Sequence, residues 1–191
     1  CPNGNVGAGT GATVGKFLGI ERAMKGGLGS YAIQVGDLKV GAIVAVNALG
    51  DIIDPETGEI LAGLLDEDGK ALIGTEDTMA IKYNEKKNIF SGNTTIGVVA
   101  TNGIFTKSQM NKLASMSHNG YARSMRPAHS IFDGDTIFTM ATGKVEADIN
   151  VVGFLAARTM ERAVVNAVKS AESAYGFKAY SSIIERGHKN E

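Results

Sequence analysis

Thr94 places a hydroxyl at the mouth of an apolar run, Ile96-Gly97-Val98-Val99-Ala100-Thr101, just after the turn-like Ser91-Gly92-Asn93. A break between Asn93 and Thr94 would give Thr94 a free α-amine beside its own hydroxyl. One residue could then serve as nucleophile and general base, because an α-amino group titrates near pH ~8 rather than near ~10. The apolar run would hold both groups at the edge of a buried strand.

Other positions carry candidate chemistry beside an ordinary reading. Asn47 ends the apolar stretch Val40–Val46, where its amide could face a developing oxyanion or simply close the strand in a turn. Asp133-Gly134-Asp135 sets two carboxylates ahead of a strand. They read as a turn bonded to nearby amides, or as a carboxylate that receives a substrate ammonium or orients the nucleophile. A calcium loop would want an oxygen ligand at Ile137 and a glycine after it, and has neither.

Gly7-Ala-Gly9-Thr-Gly11-Ala12 satisfies G-x-G-x-x-A, but only a short stretch containing Pro2 and Gly4 precedes it. No strand leads into it, as a dinucleotide site requires, so close packing or a backbone-donor loop is the competing explanation. Gly11 to Lys16 is one residue short of a phosphate loop, and Phe17 stands where a hydroxyl would meet magnesium. His118, His129 and His188 lack metal-ligand spacing, and one cysteine cannot build a structural zinc site. Neither metal nor cofactor is expected. A triad using His129 lacks a nucleophile elbow, so the histidines read as solvated or core residues. Cys1 is a rival thiol nucleophile, yet Pro2-Asn3-Gly4 form no strand to hold it.

The elements that must position these groups follow from pattern. Ser30–Val35 and Leu38–Asn47 read as strands joined at Gly36-Asp37, and Val40–Val46 is apolar on both faces, as in a covered sheet. Ala12–Met24 carries helical periodicity. Asp54–Gly58 and Asp66–Lys70 are turns by composition, Thr78–Tyr83 a short strand, and 84–92 an exposed connector. Thr106 caps a helix to about Arg123, with Met110, Leu113, Ser117 and Tyr121 inward. Asp135–Thr142 reads as a core strand with Ile137, Thr139 and Ala141 alternating. A long helix over Asp148–Tyr175 carries small residues along one face, and Gly187–Glu191 forms a tail.

The 191 residues suit one domain, 1–191. Lys plus Arg total 19 against 20 for Asp plus Glu, so no basic footprint for nucleic acid or an anionic membrane exists. No apolar stretch approaches the roughly 20 residues of a membrane span. Twenty-five glycines with only three prolines argue for close packing and turns rather than disorder. A single cysteine favours a reducing, cytoplasmic setting. The opening Cys1-Pro2-Asn3-Gly4, with neither Met nor signal segment, reads as a processed product or a fragment.

Six segments in register resemble the DmpA-type family of self-cleaving aminopeptidases, the L-aminopeptidase/D-amino-acid esterases and β-peptidyl aminopeptidases. They are Gly4–Lys16, Lys25–Ser30, Val44–Ala48, Asp54–Gly58, Asn93–Thr101 and Phe132–Thr136, and the likeness runs from Gly4 to about Gly143. The resemblance implies an αββα layered sandwich like that of N-terminal-nucleophile hydrolases. It implies self-cleavage between Asn93 and Thr94, giving associated pieces 1–93 and 94–191. Thr94 becomes the nucleophile and Asn47 the oxyanion-hole asparagine. Asp133 and Asp135 fall near a polar-x-acid pair whose first member is often Ser in relatives, so this chain departs there. Relatives also carry sequence upstream of the glycine-rich segment, including an active-site tyrosine, so the chain is expected to be incomplete at its N-terminus.

The leading expectation is therefore an aminopeptidase or amidase acting on small peptides, amides or esters, assembled as an oligomer of cleaved heterodimers. The alternatives are a phosphate- or nucleotide-binding module using the glycine-rich loop, and an inactive remnant of the family.

Overall fold

A computed structural model describes residues 1–84 and 92–187; the expected connector 84–92 and tail 187–191 lie largely outside the described residues. One 3-10 turn at Gly7–Gly9 precedes β1 (Thr13–Val14), a second 3-10 turn at Ile20–Arg22, and β2 (Met24–Lys25). Then come β3 (Gly27–Val35), β4 (Leu38–Val46), β5 (Asp51–Ile53), β6 (Ile60–Ala62) and α1 (Thr75–Ile81). The second half holds β7 (Ile96–Gly103), α2 (Lys107–Ser124), β8 (Met125–Arg126), β9 (Thr136–Val145), α3 (Ile149–Lys169) and α4 (Tyr180–Gly187).

The main sheet has the order β3-β4-β7-β9. The β3–β4 hairpin turns at Gly36-Asp37 as its composition predicts, and pairs Val35 with Leu38. β4 runs antiparallel to β7, whereas β7 and β9 are parallel. A parallel pair needs a crossover, and α2 supplies it. Thr106 caps α2 in a full capping box with Gln109, and Leu113, Ser117 and Tyr121 are buried as the spacing required. A smaller sheet, β6-β5-β8, sits beside the main one. Its first residue, Asp51, is a buried carboxylate that accepts bonds from Leu64 N, Thr75 N and Thr75 Oγ1 at 2.8, 2.5 and 2.6 Å. Those bonds anchor the start of α1.

The core lies between the main sheet and the layer of α2 and α3. Val40, Ala42, Val44 and Val46 of β4 meet α3, whose Val152, Ala156, Met160, Ala163 and Ala167 form the expected small-residue stripe. The approach is close enough that a Cβ at Gly29 would overlap the Ala163 carbonyl. Only glycine fits where helix and strand backbones nearly touch.

Several sequence expectations fail. Ala12–Met24 is no helix: Gly15 and Gly19 have φ of 74° and 120°, and the chain makes β1, a 3-10 turn and β2 instead. Thr78–Tyr83 is not a strand but overlaps α1, whose first turn carries Glu76 and Asp77 at the positive end of the helix dipole. β9 is an edge strand: Ile137 is buried, but Thr139 is half-buried and Ala141 exposed. α3 stops at Lys169 rather than Tyr175, where Tyr175 and Gly176 both have positive φ. Helix α4 went unforeseen.

β4 is buried on one side only. Ile43 and Ala45 on its other side are half-buried, and Tyr31, Ile96, Phe138 and Met140 on neighbouring strands are exposed. Of the expected αββα sandwich, the described residues thus build one helix layer and one main sheet, with the second face of that sheet open. No helix among them is long and apolar enough to cross a membrane.

The Gly29 contact predicts that Gly29→Ala destabilises the chain by about 1–3 kcal/mol, as overpacking does. Urea unfolding of the variant beside the parent measures it.

Candidate active site

The sheet topology gathers one end of three strands. Antiparallel pairing of Ala45 with Ile96 carries Asn47 opposite Thr94, and the Thr94 N–H donates to the Asn47 carbonyl at 2.9 Å. Parallel pairing of Ile96 with Thr136 carries the residues before β9 alongside those before β7, and Asn93 bridges Asp133. All four residues singled out in the sequence, Asn47, Thr94, Asp133 and Asp135, therefore share one edge.

Each has defined partners. The Thr94 hydroxyl donates to the Asn93 carbonyl at 2.6 Å, and that same oxygen accepts the Gly134 N–H at 2.9 Å. Asn47 is fixed at both ends of its side chain. Its Oδ1 accepts Thr13 N–H at 3.1 Å and Lys16 Nζ at 2.8 Å, while Nδ2 donates to the Gly92 carbonyl at 2.8 Å. Asp133 Oδ1 accepts Leu49 N–H at 3.1 Å, and Oδ2 accepts the Ser130 hydroxyl at 2.5 Å. Asp135 Oδ1 accepts Thr95 N–H at 2.9 Å. The two carboxylates thus act partly as the sequence's turn reading supposed, yet they brace the segments on either side of Thr94.

Lys16 was missed. It is 1% exposed, and burial drives its ammonium down from the ordinary 10.5 to about 8, with the Asp133 charge pulling the other way. The available signal was a lone lysine in Val14-Gly15-Lys16-Phe17-Leu18, a setting that is otherwise apolar. β1 delivers it, since Gly15 and Lys16 bond through their amides to Gly50 and Leu49 carbonyls at 3.0 and 2.9 Å.

Three amides of the glycine fingerprint are already committed within its own loop. The amides of Gly9, Thr10 and Ala12 donate to the carbonyls of Val6, Gly7 and Gly9 at 2.9, 3.1 and 3.3 Å, leaving none of these three for an anion. Buried Lys25 holds the loop from below through Thr10 O and Ala12 O at 2.8 and 3.0 Å. Among the described residues no group of three His, Cys, Asp or Glu side chains could hold a metal ion. Beside Thr94 lies a cleft of about 310 Å³ lined by Ala8, Gly11, Ala12, Ala45, Asn47 and Ile96. Larger surface clefts occupy the open sheet face and the α2–α3 groove, and none contains Thr94.

The profile of peptidase family S58 matches residues 1–182. The chain belongs to peptidase family S58. An uncharacterised aminopeptidase of Mycobacterium leprae is 37% identical over 195 residues, covering 93% of this chain and 51% of the relative. A 6-aminohexanoate-oligomer endohydrolase of Kocuria sp. is 29% identical over 187 residues, covering 88% and 51%. The chain spans about half the length of these relatives. Among solved structures, the L-aminopeptidase D-Ala-esterase/amidase of Ochrobactrum anthropi is described as a new variant among the Ntn hydrolase fold. It superposes with a TM-score of 0.62 at 18% identity, over 98% of this chain and 53% of that one. The fold of this S58 chain is therefore the α/β fold of that group.

Lys16 gives a pH signature. Its folded value lies below its unfolded one, so between about pH 8 and 10.5 the unfolded chain binds more protons and stability rises with pH. Lys16→Met should flatten that rise in urea unfolding across the window, leaving the part due to Lys25, whose amine burial also lowers.

Proposed function

We propose that this S58 chain is part of a self-activated amide hydrolase in which Thr94 is first the agent of its own release and then the nucleophile. The observation that carries the reading is the convergence on one peptide bond. The Thr94 hydroxyl lies against the Asn93 carbonyl, Gly134 N–H donates to that carbonyl, and Asn47 grips both flanking units.

Attack of Thr94 Oγ1 on the Asn93 carbonyl carbon forms a tetrahedral centre whose oxyanion already faces the Gly134 amide. Collapse breaks the Asn93–Thr94 C–N bond, and the proton from the hydroxyl goes to the departing nitrogen. The resulting ester is opened by water, which leaves Asn93 as a carboxylate and Thr94 as a free amine. Departure of the 92–93 segment would vacate Asn47 Nδ2, which now holds the Gly92 carbonyl. That N–H then becomes a donor for the oxyanion of an incoming amide or ester.

In turnover the Thr94 amine takes the proton of its own hydroxyl as the oxygen attacks substrate. Asn47 O, which accepts from this nitrogen at 2.9 Å, keeps the amine beside the hydroxyl. Lys16 fixes the Asn47 amide so that Nδ2 points outward, and adds positive charge behind the oxyanion site. Asp133 and Asp135 hold the segments around Thr94. The cleft walls Ala8, Gly11, Ala12 and Ala45 suit a slim, unbranched acyl or amine chain. Short peptides and linear amides are the substrate class, in keeping with the aminopeptidase and amide-oligomer hydrolase names of the relatives.

Amino-terminal sequencing of the purified full-length protein should read Thr-Thr-Ile-Gly, from Thr94, and Thr94→Ala should stay whole. An intact wild-type chain that still hydrolyses substrate would overturn the mechanism. Asn47→Ala is expected to lower the rate of amide hydrolysis by about 10²–10³, the usual cost of an oxyanion donor.

A further inference from the structure

Behind Asp135 stand two histidines that the mechanism above does not use. His129 Nδ1 lies 3.4 Å from Asp135 Oδ2, and the His129 main-chain N–H donates to the same oxygen at 3.3 Å. His118 Nδ1, from α2, lies 3.2 Å from His129 Nε2. The two rings pack on each other at 4.7 Å between centroids and both rest against Tyr121, at 5.5 and 6.1 Å. His129 has φ 56°, a left-handed conformation uncommon for residues with a side chain. Its backbone is thus held in an unusual state that turns both its N–H and its ring toward one carboxylate.

These distances admit two proton arrangements, and only one of them turns a ring proton toward a charged Asp135. A nitrogen-to-nitrogen contact needs one donor and one acceptor. If His118 Nδ1–H donates to His129 Nε2, the proton of neutral His129 sits on Nδ1 and faces Asp135. The His129 ring then presents its proton to Asp135 at 3.4 Å beside the main-chain bond, and Asp135 in turn accepts Thr95 N–H, one residue from the nucleophile.

We propose that His118 and His129 form an imidazole strap that keeps the Asp135 carboxylate charged and aimed at the Thr95 amide, making both histidines positioning residues for Thr94. This rests on the reading of Thr94 as nucleophile. The strap answers a definite difficulty. Asp135's side chain is only 2% exposed, and burial, with the Asp133 charge added, pushes its carboxyl above the ordinary range. Once protonated, the carboxyl is a poorer acceptor for Thr95 N–H, and the start of β7 loses its brace. Donors on the carboxylate oppose that protonation.

The groups facing the strap are few. α2 contributes His118 and Tyr121; the phenol is raised by burial and by Asp135, and stays neutral. His118 is held below its ordinary value by burial and by His129, with Asp135 opposing. The loop before β9 contributes Asp133, which is itself tied to Leu49 and Ser130 and faces Lys16.

The test uses the full-length protein made by cell-free synthesis, with self-cleavage followed by mass spectrometry from pH 5 to 9, beside His129→Gly and His129→Asn. Glycine accepts φ 56° without strain and removes the ring; asparagine also tolerates it and restores a side-chain N–H. The expected result is an acid limb that moves up by about one pH unit in His129→Gly, roughly tenfold slower on the acid side, with the alkaline plateau within about twofold. His129→Asn should return the limb toward the parent. An unmoved limb, or an equal loss at every pH as a packing defect would give, overturns the strap. Failure of the Thr94 reading looks different, because no variant or parent would cleave. Side-chain ¹⁵N spectra of histidine-labelled parent then still decide the strap: it requires His129 protonated at Nδ1, and an Nε2–H tautomer overturns it.

Discussion

Asn47 is the constraint through which the site holds together. Its main-chain oxygen takes the Thr94 amide, its side-chain oxygen takes Thr13 and Lys16, and its side-chain nitrogen takes Gly92. Three segments distant in sequence meet at one residue whose every polar atom named here is committed. A buried amide left unpaired costs about 1–3 kcal/mol, so the cluster is stable only in this arrangement. Lys16 belongs to the same accounting: its burial is costly, and the Asn47 oxygens and the Asp133 charge offset part of that cost.

Mixed strand pairing explains why the cluster forms where it does. An antiparallel neighbour presents the finishing end of β4 to the starting end of β7, and a parallel neighbour presents the starting end of β9 to the same place. Thr94 stands between them without belonging to any strand, its N–H held by the Asn47 carbonyl and the N–H of its neighbour Thr95 by Asp135. The close seat of α3 on β3 and β4 makes the sheet beneath it stiff, and a stiff support is what a group needing sub-ångström placement requires. The same chain leaves the far side of its sheet open and apolar, at Tyr31, Phe138 and Met140.

Where the sequence misled, a contact distant in the chain was responsible. Ala12–Met24 has helical spacing, yet Gly15 must pass against the Gly63 backbone with positive φ, and Lys16 must reach Asn47. Thr78–Tyr83 has strand-like composition, but Thr75 is captured by buried Asp51 and the helix starts there. β9 alternates like a core strand, and its place at the sheet edge exposes what the alternation would have buried. The histidines read as solvated or core residues, and His129 is exposed and His118 half-buried; that a helix and a turn bring the two rings together is invisible locally, because nothing in the chain relates position 118 to position 129.

Residue order is enough for the elements whose signals are local: the Gly36-Asp37 hairpin, the Thr106 cap, the small-residue face of α3, and the Asn93-Thr94 junction ahead of an apolar strand. It also carried Asn47, Thr94, Asp133 and Asp135 as candidates, since family resemblance preserves residue types in order. That these four share an edge, that Lys16 stands with them, and that His118 and His129 lie beside Asp135 emerges in the folded chain alone. The physical reason is that burial and hydrogen bonding between distant segments depend on strand order and register, and a linear pattern specifies neither.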